Sequence, residues 1–394
     1  MNAKRFALFL AAGALAAAVR AQGPLVPSAA PGPTMKSLAQ IEPRTAITNV
    51  PYTISQPGSY YLATNLNSGA TGIVIGTNGV TLDLMGFTLS GDRSGLGHGI
   101  HLSAPGDAPV RDVVVRNGSI RGFSYGVQAK NSRNGRFEEL AVFSNLYYGI
   151  KLDGVGGACD GNALVRCALR GNGYAAIHLD GSGGQCNGNR VVDCVVAANA
   201  DDGLGLYAAS AGRCNGNLVS GCTFQGNGDH GILVQSGTGQ CHGNAIVRCI
   251  VVGNTSYGIN VAGSSGQCNG NLIAGCTAVS NGTYGILLNG NGGRCAGNVV
   301  RDCMVGENNG TGIRLNVAAG NRVQNNRIYD FTGGTKYGID CVSSTNNLVV
   351  LNSSGGQTFD YLMGVRDVYG PIVTNVGELA TSGASAHPWA NFDR

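Results

Sequence analysis

The sequence predicts an all-β chain, a right-handed parallel β-helix (solenoid) of about 12 coils closed by a cap at each end. Three observations carry this. A glycine, once an alanine, followed by an aliphatic residue opens a short apolar-alternating run at Gly72, Gly99, Gly126, Gly149, Ala176, Gly203, Gly231, Gly258, Gly285, Gly312 and Gly338, at intervals of 23 to 28 residues. A period of this length marks coils that cannot bury their apolar faces alone and must stack on their neighbours. Within each coil the apolar period is two, in segments too short for helices. Lastly, 65 glycines in 394 residues and a charged share of 12% suit many tight corners.

In chain order, Lys4 and Arg5 precede an apolar stretch from Phe6 to Val19, and Val19-Arg20-Ala21 supplies small residues for a cleavage site. Residues 1–21 are therefore expected to be a signal peptide cut after Ala21, which predicts a secreted or periplasmic protein. No later apolar run is long enough to suggest a membrane span. Residues 22–40, with Pro24, Pro27, Pro31 and Pro33, are expected to be an extended linker. Residues 41–71 are assigned to an N-terminal cap, 72–365 to the repeats and 366–394 to a C-terminal cap and tail. Both caps follow from the need to cover unpaired strands at the ends of a tube.

The best-defined coil reads N-x-V-x-x-C-x-V-x-x-N-x-x-G-I-x-L, followed by a glycine-rich corner and C-x-G-N. Three short strands per coil imply a triangular cross-section. Four inward columns follow, beginning at Leu164, Leu169, Ile177 and Leu179 and recurring once per coil. Parallel crossovers are overwhelmingly right-handed, which sets the hand of the tube. Asparagines recur in two columns, from Asn145 to Asn308 and from Asn162 to Asn321. An amide carries donors and an acceptor, so these columns are expected to be structural ladders.

Twelve of the 13 cysteines form pairs eight apart across coils 159–303: Cys159 and Cys167, Cys186 and Cys194, Cys214 and Cys222, Cys241 and Cys249, Cys268 and Cys276, Cys295 and Cys303. In an exported chain the favoured expectation is a disulfide within each coil. An extended strand between the two cysteines argues against it, because their Cα atoms would then lie beyond bridging range. Bridges between successive coils, free thiols in the inward stack, and a soft-metal site such as copper(I) are the alternatives. No pattern of cysteine and histidine suggests zinc, and Cys341 has no evident partner.

Outward positions supply the candidate chemistry. Lys151, Asp153, His178, Asp180 and Tyr207 fall side by side on one face, while Asp201 stacks under Asp229 and Asp202 under His230. Paired carboxylates either raise one another's pKa or share a cation such as calcium. That leaves polysaccharide hydrolysis or lyase chemistry open, with Asp201, Asp229, His178 and Lys151 as catalytic candidates. Asp153, Asp180, Asp202, Tyr207 and His230 are ligand-binding candidates. Polar residues before a corner glycine also serve ordinary turn chemistry. A net charge of +4 without a basic run, and 6% aromatics, give no footprint for nucleic acid.

Over roughly residues 70–365 the pattern resembles secreted bacterial right-handed β-helix proteins of the pectin-lyase-like superfamily, in particular those with NosD-like repeats. Flanks such as Pro33-Thr34-Met35-Lys36 and Pro388-Trp389-Ala390-Asn391-Phe392 look like those of one subset of these proteins. The resemblance implies the fold. It does not imply an activity, because the fold hosts many. Polygalacturonase-like motifs are not assembled: Asp201-Asp202 is present, Gly97-His98-Gly99 lies four coils away, and no R-I-K occurs. The function expected is an exported rod that binds extracellular or envelope polysaccharide or serves as a surface structural protein without catalysis. A polysaccharide lyase or hydrolase is the alternative, and soft-metal binding by the cysteines the second alternative.

Overall fold

Stacked, identical strands organise the whole molecule. The computed structural model describes residues 42–331, 337–374 and 387–393. The expected signal peptide and linker lie outside them. Residues Thr45–Arg394 form one unit, and no helix among the described residues is long and apolar enough to cross a membrane.

One face is a thirteen-stranded sheet running from Tyr52–Ile54 to Phe359–Leu362, one strand per coil. The other two faces belong to a 26-stranded sheet, joined where the eight-residue strands Val114–Arg121 and Arg136–Phe143 run across both. Every pairing is parallel and in register, as in Ile177↔Leu204 and Leu204↔Ile232. The right-handed parallel β-helix is thus observed, roughly 58 Å long at about 4.8 Å per coil. The four inward columns are as expected: Leu164↔Val191↔Val219 and Leu169↔Val196↔Phe224 pair coil upon coil and are essentially unexposed. The strands from Thr45 to Ser68 already pair in parallel with those of the next coil. At the far end Asn391–Asp393 pairs with Ile372–Thr374 and with Ser353–Ser354.

Glycine at the head of each thirteen-sheet strand is a packing requirement. A Cβ on Gly149 would sit 2.6 Å from the Ala176 carbonyl oxygen and 2.9 Å from a methyl of Leu169. The corner before the second cysteine is turned by one left-handed residue, Arg166, Asp193, Arg248 or Asp302 in four coils and Gly221 or Gly275 in two.

Both asparagine columns are continuous ladders. From Asn145 to Asn308 each Nδ2 donates to Oδ1 of the next asparagine at 2.9–3.0 Å. From Asn162 the second ladder runs on through Asn321 to Asn347. Each Oδ1 also accepts a backbone N–H of the coil before, as Asn217 does from Asn189 at 2.8 Å. The buried corners are thereby satisfied, which parallel strands alone cannot do.

The cysteines correct an expectation. None forms a disulfide, and all thirteen are buried. A three-residue strand such as Ala163–Val165 separates the two members of a pair, so they occupy different corners about 10 Å apart, beyond the span of a bridge. The twelve paired thiols instead stack on their counterparts in adjacent coils and donate to backbone carbonyls, as Cys159 to Ala129 at 3.3 Å and Cys222 to Val191 at 3.4 Å. The sulfur also accepts: the Cys194 N–H points at Cys222 Sγ at 3.4 Å. One coil past the last pair, the Cys303 N–H meets Asn326 Oδ1 at 3.0 Å, and Asn326, Asn352 and Asn391 continue the column. Cysteine and asparagine fill the same rung because each offers a donor and an acceptor in a small side chain.

Candidate functional site

The outer face of the thirteen-stranded sheet carries the polar residues, in columns set by register. Lys151 pairs with His178 and Asp153 with Asp180, so the four alternate outward on neighbouring strands; Asp180 in turn pairs with Tyr207. Lys151 Nζ lies 3.2 Å from Asp180 and 3.5 Å from Asp153, and His178 Nε2 lies 3.8 Å from Asp180. Gln128 donates to Asp153 at 2.8 Å. Burial alone would lower the pKa of Lys151, but the two carboxylates outweigh it and raise it. Burial pushes His178 down to about 4 against the pull of Asp180, so its imidazole is neutral at pH 7. Asp180 is held below the usual range because its bond to Ser182, with His178 and Lys151 beside it, overcomes burial.

The second cluster is Asp201, Asp202, Asp229 and His230, at the edge where each strand begins. His230 Nδ1 lies 2.6 Å from Asp229 and 3.8 Å from Asp202. Burial, then the charge of Asp201, raises Asp202 to about 7. Burial and Asp229 raise Asp201. The four catalytic candidates therefore divide: Lys151 and His178 belong to the first cluster, Asp201 and Asp229 to the second.

An aromatic column, missed in the sequence, runs along this face in two stretches. The residue directly before the ladder glycine reads His98, Tyr125, Tyr148, Ala175, Asp202, His230, Tyr257 and Tyr284. Tyr125 stacks on Tyr148 at 5.5 Å, and Tyr148 on His178 at 4.9 Å, the imidazole filling the gap left by Ala175. Tyr207 stacks on the far side of His178 at 6.1 Å. Beside them Tyr147 and Tyr174, about half exposed, lie 6.1 Å apart. Beyond Asp202 the column resumes with His230, Tyr257 and Tyr284, capped by Arg314. Repeated Tyr-Gly at the ladder was the available signal.

A parallel coil stack with this outer strip defines a class, and the family model described as "Right handed beta helix region" matches residues 64–213 and 98–270, more than half of the chain. The chain belongs to that family. A model described as "Periplasmic copper-binding protein (NosD)" matches residues 214–358. Among solved structures the chain is similar to the A-module of the Azotobacter vinelandii mannuronan C-5 epimerase AlgE4, with 16% identity, TM-score 0.50, and 82% of this chain and 85% of that one covered. It is similar to a Geobacillus virus protein at 18% identity and TM-score 0.53, covering 73% of this chain and 56% of that one. A tailspike protein of an E. coli bacteriophage, in complex with a pentasaccharide, matches at 12% identity and TM-score 0.50, over 81% of this chain and 58% of that one. These likenesses establish the fold. No curated protein matches the sequence.

The thiols are sealed in the core, and those of the six pairs donate to backbone carbonyls, as Cys159 and Cys222 do. Burial holds Cys186, Cys295 and Cys341 above the usual thiol range, whereas hydrogen bonds from neighbouring thiols lower Cys194 and Cys276.

Proposed function

We propose that the protein is an exported rod that binds polysaccharide along the outer face of the thirteen-stranded sheet. The observation that carries this is the aromatic column parallel to the axis, with Tyr147 and Tyr174 presenting half-exposed rings beside it. Aromatic rings stack on the apolar faces of sugar rings, and a coil spacing of about 4.8 Å is close to the rise of one pyranose in an extended chain. Lys151, Asp153 and Asp180 give the middle of the track one cation and two anions, suited to hydroxyl groups; an acidic glycan would need a bridging cation such as calcium. Saccharides in two fold neighbours, the mannuronan epimerase and the tailspike, are in keeping with this reading. Export to the periplasm or beyond accords with the signal-like start and with the periplasmic family of the second model.

A catalytic reading has one observation in its favour. The neutral imidazole of His178 and the cation of Lys151 stand in register on neighbouring strands, a base and a carboxylate-neutralising group that proton abstraction next to a sugar carboxylate can use. One experiment separates the two. The protein is incubated with neutral and acidic polysaccharides, with and without calcium, following co-sedimentation and the release of reducing or unsaturated ends. Binding without cleavage is expected, and Tyr147→Ala with Tyr174→Ala should weaken it by about 0.5–1.5 kcal/mol per ring. Cleavage abolished by His178→Ala establishes an enzyme; no association with any polysaccharide overturns both readings.

A further inference from the structure

We infer that Asp202, Asp229 and His230 form a binding site for a divalent transition-metal ion of the zinc class, a site independent of the glycan reading. One ligand atom from each residue lies within 4.8 Å of the other two. Donors around a tetrahedral ion with bonds near 2.1 Å stand about 3.4 Å apart, so small side-chain movements bring these three to one centre.

The second observation is His230 itself. It is 9% exposed, and its Nδ1 is buried, directed between the two carboxylates, and engaged in no hydrogen bond of proper geometry despite standing 2.6 Å from Asp229. In the absence of an ion this nitrogen faces Asp229 as an N–H, and a bound ion would take the place of that proton. Behind it, Nε2 lies 3.1 Å from the Asn260 amide, whose Oδ1 is buried without a partner. Rotating that amide gives Nε2–H a carbonyl oxygen to bond, which leaves Nδ1 free to ligate and fixes the ring. Tyr257 packs its edge against the imidazole at 4.8 Å and holds it in place.

Charge points the same way. Asp201, Asp202 and Asp229 converge on this edge, and no Lys or Arg ion-pairs with them among the described residues. Register forces the crowding, because Asp201 and Asp202 lie one coil beneath Asp229 and His230; the Asp229 N–H bonds to the Asp201 carbonyl. An imidazole with two carboxylates favours zinc-like ions over calcium, which takes oxygen ligands in larger number. Three protein ligands leave a position open to water or to an oxygen of a bound molecule.

The test uses Co2+ and Zn2+ added to chelator-treated protein. We expect one ion per chain, Co2+ giving visible d–d bands without the near-ultraviolet thiolate band that cysteine ligation produces. Asp229→Asn, at a half-exposed position that leaves folding intact, and His230→Gln should abolish binding, and Asn260→Ala should weaken it about 10- to 100-fold. A thiolate band, absence of binding, or binding unchanged in Asp229→Asn overturns the assignment.

Discussion

The inside and the outside of the coils are made from the same strands, yet they follow different rules. Inward, Ile177, Leu204, Ile232 and Ile259 succeed one another without interruption, and asparagine answers asparagine along the corners. Outward on the same strands, Lys151, His178, Gly205, Leu233 and Asn260 share one column and nothing in chemical type. Stacking at one coil spacing demands like on like in a sealed core, where an odd side chain meets its neighbours above and below. Solvent imposes no such demand. The outward columns are therefore free to depart from repetition where the inward ones are not.

The largest effect should come from breaking the repetitive side. Asn217→Ala removes the acceptor of the Asn189 backbone N–H and of its Nδ2, together with the bonds that Asn217 donates to the Cys186 carbonyl, to Cys214 Sγ and to Asn244. Each buried group left unpaired costs about 1–3 kcal/mol, so denaturant unfolding should show a loss of about 3–5 kcal/mol. A loss under 1 kcal/mol would mean that the ladder is incidental.

A smaller effect is expected on the irregular side. His178 titrates near 4 when folded, against 6.5 as its ordinary value, so between those limits the unfolded chain binds the extra proton and acidification withdraws stability. Comparison with His178→Gln subtracts every other group. The advantage of the native residue should shrink by about 2–3 kcal/mol between about pH 7 and about pH 4.5. A difference independent of pH would show that the imidazole is solvated and not held in the aromatic stack.

Reduction should have the smallest effect of all. With thirteen free thiols, a reductant leaves the unfolding midpoint unchanged, and a thiol reagent labels all of them in denaturant and almost none in the native protein. Disulfides would instead contribute about 2–4 kcal/mol each, lost on reduction.

Legibility follows the same division. The inward columns, the ladder glycines and both asparagine ladders could be read because each obeys one rule repeated once per coil, and Leu164 predicts Val191 and Val219. The cysteines were regular too, but regularity gives the column and not the bond: the strand Ala163–Val165 and the left-handed corner at Arg166 keep Cys159 from Cys167. The site was legible as a set of polar residues and not as two clusters. Contacts such as Tyr148 on His178 run diagonally between coils, across residues 30 apart, and depend on Ala175 being too small to fill its own place.

The asparagine ladder has a further property, a direction. In both columns the amide-to-amide bonds all run from Nδ2 toward the higher-numbered coil, so the amide dipoles add head to tail along the axis, as peptide dipoles do in an α-helix. The longer column ends on a carboxylate: Asp367 Oδ1 accepts from the Asn347 N–H at 2.9 Å and from its Nδ2 at 3.0 Å, an anion against the positive pole. The rod is thus a vector with a direction of its own, its positive pole met by the carboxylate of Asp367.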